Sequence, residues 1–63
     1  MSQSNPVEIR TNARASTKAT AWIGRTHIAT VWAEDGQRHA KAELMLTPQE
    51  LRWLADAVDA WAP

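Results

Sequence analysis

The segment Glu34-Asp35-Gly36-Gln37 constrains the fold of this chain more than any other feature of the sequence. Segments in which apolar and polar residues alternate lie on both sides of it, and an Asp-Gly pair between two such segments predicts a β-hairpin. A hairpin makes its two strands antiparallel neighbours. The sequence therefore predicts an antiparallel sheet built around this turn.

The register of the hairpin depends on the length of its turn. A two-residue turn places Trp32 opposite His39, whereas a three-residue turn that begins at Glu34 places Trp32 opposite Arg38. Only the three-residue turn collects the apolar residues of both strands on one face, and a slip of one residue would move every side chain to the other face. We therefore expect the three-residue turn, with a bulge at a left-handed Gly36.

Three segments predict the strands. Residues 7–11 alternate between apolar and polar types, residues 19–33 are rich in β-branched and aromatic types, and residues 37–46 alternate again. Residues 12–18 are small and polar, which predicts a loop. Gly24 interrupts the middle segment and marks either a bulge or a tight corner, so the sheet should have three or four strands.

A helix is predicted directly after the last strand. Thr47 is a favourable N-cap, Pro48 suits the first helical turn, and Glu50 stands three residues after the cap, which completes a capping box. The helix should run from Pro48 to about Ala62, because Pro63 ends the chain.

The predicted helix has an apolar stripe that should pack on the sheet and cover an arc of about 120°. Trp53 and Ala57 widen the apolar surface to about 200°, more than one sheet needs. We expect Trp53, Ala57 and Trp61 to form a protein interface, where Trp is enriched; the alternative is that Trp53 only covers the edge of the core. The stripe consists of Leu51, Leu54, Ala55, Val58, Trp61 and Ala62.

These elements predict an α+β fold: a small antiparallel β-sheet of three or four strands, ordered as a meander, packed by one C-terminal α-helix. We expect a disordered N-terminal tail over residues 1–6 and a single domain over residues 7–63. A domain of this size buries only about 60% of the surface that its unfolded chain exposes. Because the absence of cysteine excludes disulfides, we expect a homodimer to supply further stability.

Residues suited to catalysis are scarce. The chain has no Cys or Tyr, and its serines lie in the predicted tail or loop. The three-residue turn would place His27 opposite Glu43, a pair that can serve acid–base catalysis but is also common as a solvent-exposed cross-strand pair. His27 and His39 would lie roughly 13 Å apart, too far to share a metal ion. We therefore expect no enzyme activity, no cofactor and no metal.

The remaining features favour a binding protein. The sequence has no recognisable signal peptide or membrane-spanning segment, which predicts cytoplasmic localisation. Arg outnumbers Lys and Ala is abundant, as expected from a GC-rich bacterial or phage genome. We expect a small regulatory, accessory or inhibitory protein that acts through protein–protein contacts as a homodimer.

The charge distribution suggests an alternative. Basic residues dominate residues 1–33 and acidic residues dominate residues 34–63, so the neutral chain has a basic first half. Grooves that bind single-stranded nucleic acid combine a basic track with aromatic side chains on which bases stack. The alternative function is that of a dimeric single-stranded nucleic-acid-binding protein. Its contact residues would be Arg10, Arg14, Lys18, Trp22 and Arg25.

The order of elements over about residues 26–60 is similar to that of a known domain. A strand ending in Trp32, an acidic turn, a strand that leads into Leu46-Thr47-Pro48-Gln49-Glu50 and a closing helix resemble the PC4-type coactivator domain. Domains of this type are homodimers that bind single-stranded DNA and are built from a curved sheet with a C-terminal helix. The resemblance implies the same architecture and the nucleic-acid alternative.

Overall fold

The computed structural model describes residues 4–62, and four strands and one helix follow one another along them. The strands form one antiparallel sheet in the order β1-β2-β3-β4. The predicted α+β fold, a meander with one C-terminal helix, is confirmed, and the sheet has four strands. The elements are β1 (Val7–Asn12), β2 (Ala15–Ile23), β3 (Thr26–Glu34), β4 (Gln37–Ala42) and α1 (Pro48–Ala60).

Gly24 is the corner at which the predicted middle segment divides into β2 and β3. Its φ of 61° lies in the left-handed region that glycine adopts without steric cost, and the chain reverses there. The loop predicted over residues 12–18 is wrong, because β2 begins at Ala15 and only a tight turn at Ala13 and Arg14 precedes it. Pairing with β1 and β3 on both sides outweighs the weak strand propensity of these small residues.

The β3–β4 hairpin has a two-residue turn, so the predicted three-residue turn is wrong. Asp35 and Gly36 have φ values of 54° and 77°. Two left-handed central residues are typical of a type I′ turn, whose twist matches that of the flanking strands. Trp32 therefore lies opposite His39 rather than Arg38.

A β-bulge in β3 explains why the alternation of apolar residues misled the prediction. Ala21 of β2 pairs with Ala29, and the next residue of β2, Trp22, pairs with His27. Ile28 is therefore an extra residue of β3 that has no partner on β2. Ile28 and Ala29 are both buried, 2% and 0% exposed, although they are consecutive. Ile28 and Trp32 consequently lie on opposite faces of the sheet, although an unbroken strand would place them on the same one.

The core lies between α1 and one face of the sheet, which we call the inner face. Within the apolar stripe of α1 and its C-cap, Leu54, Val58 and Trp61 are buried, whereas Leu51 is 48% exposed and lies outside the core. Alanines in the middle of the sheet leave room for the helix to pack closely. The buried residues are Ala19, Ala21, Ile28, Ala29, Val31, Leu54, Val58 and Trp61.

Both ends of α1 are held by hydrogen bonds. The predicted capping box is confirmed: the Glu50 N–H donates to Thr47 Oγ1 at 3.2 Å, and the Thr47 N–H donates to Glu50 Oε1 at 2.8 Å. The helix ends at Ala60, two residues before the predicted end, and Trp61 is the C-cap. Arg38 Nε on β4 donates to the Trp61 carbonyl, which ties the end of the helix to the edge of the sheet.

The N-terminal segment also contacts the helix. Asn5 Nδ2 donates to the Trp53 carbonyl at 2.7 Å, and the Val7 N–H donates to Asn5 Oδ1 at 2.9 Å. Residues 1–3 of the predicted tail lie outside the described residues. Within residues 4–62, α1 is too short to cross a membrane.

Candidate nucleic-acid interface

The face of the sheet opposite α1, which we call the outer face, is covered by no element of the described chain. Side chains alternate across a sheet, so the residues between the buried ones point to this face. Strand pairing arranges them in three rows across the sheet. The rows are Glu8, Trp22 and His27; Arg10, Thr20, Thr30 and Lys41; and Lys18, Trp32 and His39.

Trp22 is the centre of the first aromatic group. Its ring stacks on His27 with centroids 5.2 Å apart and an interplanar angle of 27°. The Arg10 guanidinium lies 4.4 Å from the ring centroid, within cation–π range, and also pairs with Glu8 at 3.0 Å. Trp22 Nε1 donates to Thr20 Oγ1 at 2.8 Å. These contacts hold a half-buried indole against the sheet surface.

Trp32 and His39 form a second aromatic group on the same face. Their ring centroids are 5.5 Å apart, with an interplanar angle of 22°. The two-residue turn creates this stack, because it makes the two residues direct cross-strand neighbours. Lys18 pairs with Trp32 from the other side, so a cation lies next to this group as well.

A shallow depression lies on this side of the sheet and is lined by Arg10, Asn12, Lys18, Thr20 and Thr30 among others. Its lining combines two cations with amide and hydroxyl donors. Proteins use these same groups to contact phosphate oxygens of nucleic acids. Arg10 and Lys18 are therefore the groups of the depression that a phosphate could contact, while most of its exposed lining is apolar.

The predicted pair of His27 and Glu43 does not form. His27 Nε2 lies 2.9 Å from the Ala29 carbonyl, while Glu43 Oε2 accepts a hydrogen bond from the Thr30 hydroxyl at 2.7 Å. The shift of register and the bulge in β3 together separate the imidazole from the carboxylate. Within residues 4–62, no group of three His, Cys, Asp or Glu residues could hold a metal ion.

The structure brings together part of the predicted nucleic-acid contact. Arg10, Lys18 and Trp22 all lie on the outer face. Arg14 lies in the β1–β2 turn and Arg25 in the β2–β3 turn, at opposite ends of β2. The rows thus place three of the five residues on one surface and the other two at its ends.

Sequence reasoning missed Trp32 as a partner of this surface, because the expected register placed it on the apolar face. The signal that could have found it is the Asp35-Gly36 pair. These residue types favour a two-residue turn in their own right, independently of which face is buried. A register chosen from the Asp35-Gly36 turn, rather than from the alternation of apolar and polar residues, places Trp32 beside His39 on the outer face.

The predicted protein interface is altered by the position of Trp61. This residue is only 8% exposed and belongs to the core, so it is not available to a partner. The stripe that was expected to pack on the sheet already included Trp61, and its burial beside Leu54 and Val58 fits that expectation. Trp53 and Ala57 are half-buried on α1, and their role at an interface stays a prediction.

Comparisons with protein-family models, curated proteins and solved structures find no match to this chain. The structure defines the chain as a small α+β domain with an open, aromatic sheet face. Its geometry is thus the guide to its function.

Proposed function

We propose that this protein is a non-catalytic binding module that holds single-stranded nucleic acid on the outer face of its sheet. The observation that carries the proposal is the pair of Trp–His stacks, Trp22 on His27 and Trp32 on His39, on a face that α1 leaves open. Single-strand-binding proteins use aromatic platforms, because every base has a π-face that can stack on them. On Trp22, a base would take the place of the Arg10 guanidinium or of the His27 ring. Lys18 places a cation in the row of Trp32, and Lys41 places another in the middle row between the two stacks.

The two aromatic platforms favour a single strand over a duplex. Lys18, the residue of β2 that pairs with Trp32, lies four positions from Trp22 along the strand. This places the two platforms roughly 13 Å apart along the strands. Consecutive bases of a stacked strand are only about 3.4 Å apart. The separation thus corresponds to about four nucleotides. A base can stack on either ring only if it leaves the stack of its own strand, which a flexible single strand allows and a duplex does not.

The charges predict a modest affinity. Five cations lie on or at the ends of the outer face: Arg10, Arg14, Lys18, Arg25 and Lys41. Arg10 is already paired with the Glu8 carboxylate. If all five contacted phosphates, a plot of the logarithm of the binding constant against the logarithm of the salt concentration would have a slope of about −3.5. Binding should be weak at high salt.

The test is fluorescence anisotropy with a labelled oligothymidylate of about 12 nucleotides, a length within the range of roughly 4–16 nucleotides that OB-fold sites cover. We expect binding at low salt that exceeds binding to a duplex and weakens as salt is added. Lys18→Ala and Arg14→Ala should each flatten the salt slope by about 0.7. Arg52→Ala, on exposed helix surface, is the matched control and should change nothing. Absence of binding at low salt would refute the proposal.

The second candidate function is that of a regulatory, accessory or inhibitory protein of a bacterium or phage, which acts in the cytoplasm through protein contacts. A groove between α1 and β1, lined by Val7, Ile9, Ala57 and Ala60, supports it together with the half-buried Trp53. Trp53→Ala should then weaken association with a protein partner while circular dichroism shows an unchanged fold. Loss of folding with unchanged association would assign Trp53 to the core instead.

A further inference from the structure

The open edge of β4 presents hydrogen-bonding groups that no strand of the described chain pairs with. Glu34 and Gln37 close the two-residue turn, so they form a hydrogen-bonded pair. Along an antiparallel pair of strands, hydrogen-bonded and non-hydrogen-bonded residue pairs alternate. The backbone groups of every second residue of β4 therefore point toward β3. The Glu43 N–H fits this pattern, because it donates to the Ile28 carbonyl. The N–H and C=O groups of the residues in between point to the open edge. They belong to Arg38, Ala40 and Ala42.

The inner face beside this edge is apolar and uncovered. Ala40 and Ala42 lie on the face that carries the core, yet both are exposed at the edge of the sheet, although α1 contacts β4 and its end is bonded to Arg38. Leu51, which lines a groove together with Ala40, is exposed as well, by 48%. Leu44 and Met45 follow β4 in the chain and are exposed by 43% and 96%. We call these five residues the edge patch. Arg38 and Asp59 line the groove that runs beside it between β4 and α1.

We propose that β4 pairs in antiparallel fashion with β4 of a second copy of this chain, about a two-fold axis at Ala40. A two-fold axis brings the same surface of both copies together, so an interface of this kind must complement itself. With the axis at Ala40, that residue faces its own copy and Arg38 faces Ala42 of the second copy. All three residues with outward-pointing backbone groups then form inter-chain hydrogen bonds.

Polarity also favours a second copy in this orientation. On the outer face the antiparallel arrangement places Gln37 opposite Glu43 of the second copy, and the Gln37 amide can donate to that carboxylate. The chain has a formal net charge of zero, so two copies do not repel each other at long range.

The dimer would form one eight-stranded sheet and bring the edge patches of the two copies next to each other. It would also join the two outer faces, with His39 and Lys41 of both copies at the junction. The dimer does not depend on nucleic-acid binding, because Ala40, Ala42 and Leu51 lie on the side of the sheet that carries α1.

The first test is the solution mass of the full chain across a concentration series, by sedimentation equilibrium. We expect a dimer, and Leu51→Lys should raise its dissociation constant at least about tenfold, because it places a charge in the edge patch. Gln49→Lys, which adds the same charge elsewhere on exposed helix surface, is the control and should leave the constant unchanged. Circular dichroism checks that both variants are folded. A wild-type chain that stays monomeric at the highest concentration would overturn the proposal.

The second test addresses the register and uses the absence of cysteine from the chain. In a hydrogen-bonded antiparallel pair the two Cα atoms are about 5.5 Å apart, which lies within the range of a disulfide. Ala40→Cys should therefore form a covalent dimer on mild oxidation, whereas the exposed control Ala13→Cys should not. Equal cross-linking of both variants, or a dimer that withstands Leu51→Lys, would place the interface elsewhere and overturn the proposal. An unchanged oligonucleotide affinity of the monomeric variant would show that the two proposals stand independently.

Discussion

Replacing the two outer-face tryptophans by leucine, singly and together, tests the central feature of this protein. Each platform that stacks one base contributes about 1–3 kcal/mol by alanine substitution in known single-strand-binding proteins, which corresponds to roughly 5- to 150-fold in affinity. Leucine keeps an apolar side chain over the sheet but has no π-face. Trp22→Leu and Trp32→Leu should therefore each weaken oligothymidylate binding by a factor in this range.

The double variant makes the prediction sharper. The two platforms lie roughly 13 Å apart along the strands and have different stacking partners, His27 and His39. Substitutions at sites this far apart with no shared partner are usually additive within about 0.5 kcal/mol. The double variant should thus lose the product of the two single losses, at least about 25-fold at the lower limit.

The assay is the anisotropy titration at low salt, with circular dichroism to check folding. Trp53→Leu is the matched control, since it removes an indole from α1 on the other side of the sheet and should leave the affinity unchanged. If neither single variant loses affinity, the stacks do not hold bases. If the double variant is no weaker than one single variant, only one platform is used and the two-platform site is wrong.

Three further predictions concern the stability of the fold, measured by urea and thermal unfolding. Thr47→Ala removes one half of the capping box and should cost about 1 kcal/mol, or about 4–8 °C in Tm; an unchanged Tm would mean that the box does not stabilise α1. Leu54→Ala should lower the free energy of unfolding by about 2–5 kcal/mol, out of about 3–9 kcal/mol expected for a chain of this size. Leu51→Ala should have little effect on the stability of the monomer, because Leu51 is exposed. Equal effects of the two substitutions would contradict the described core. Gly36→Ala should cost about 1–2 kcal/mol through backbone strain alone, since no atom lies within 4 Å of the added Cβ; a neutral result would contradict the left-handed turn.

The local signals of the sequence determined the elements themselves. Thr47, Pro48 and Glu50 predicted the start of α1 correctly, because a capping box consists of contacts within four residues. The Asp35-Gly36 pair predicted the position of the hairpin, and the alternation at Val7 and Ile9 predicted β1. These features depend on neighbours in the chain, so the residues alone were enough to predict them.

Which residues face the core, and which surface remains open, was decided only by the tertiary structure. The prediction grouped Ile28 with Trp32 on one buried face, and the bulge in β3 separated them. The alternation of alanines could not correct this, because an alanine side chain buries so little area that either face of β4 suits it. The sequence assigned Trp61 both to the stripe that packs on the sheet and to an interface, and the structure places it in the core. The outer face, with both Trp–His stacks, exists because α1 covers only the other face, and that choice depends on contacts between residues far apart in the chain.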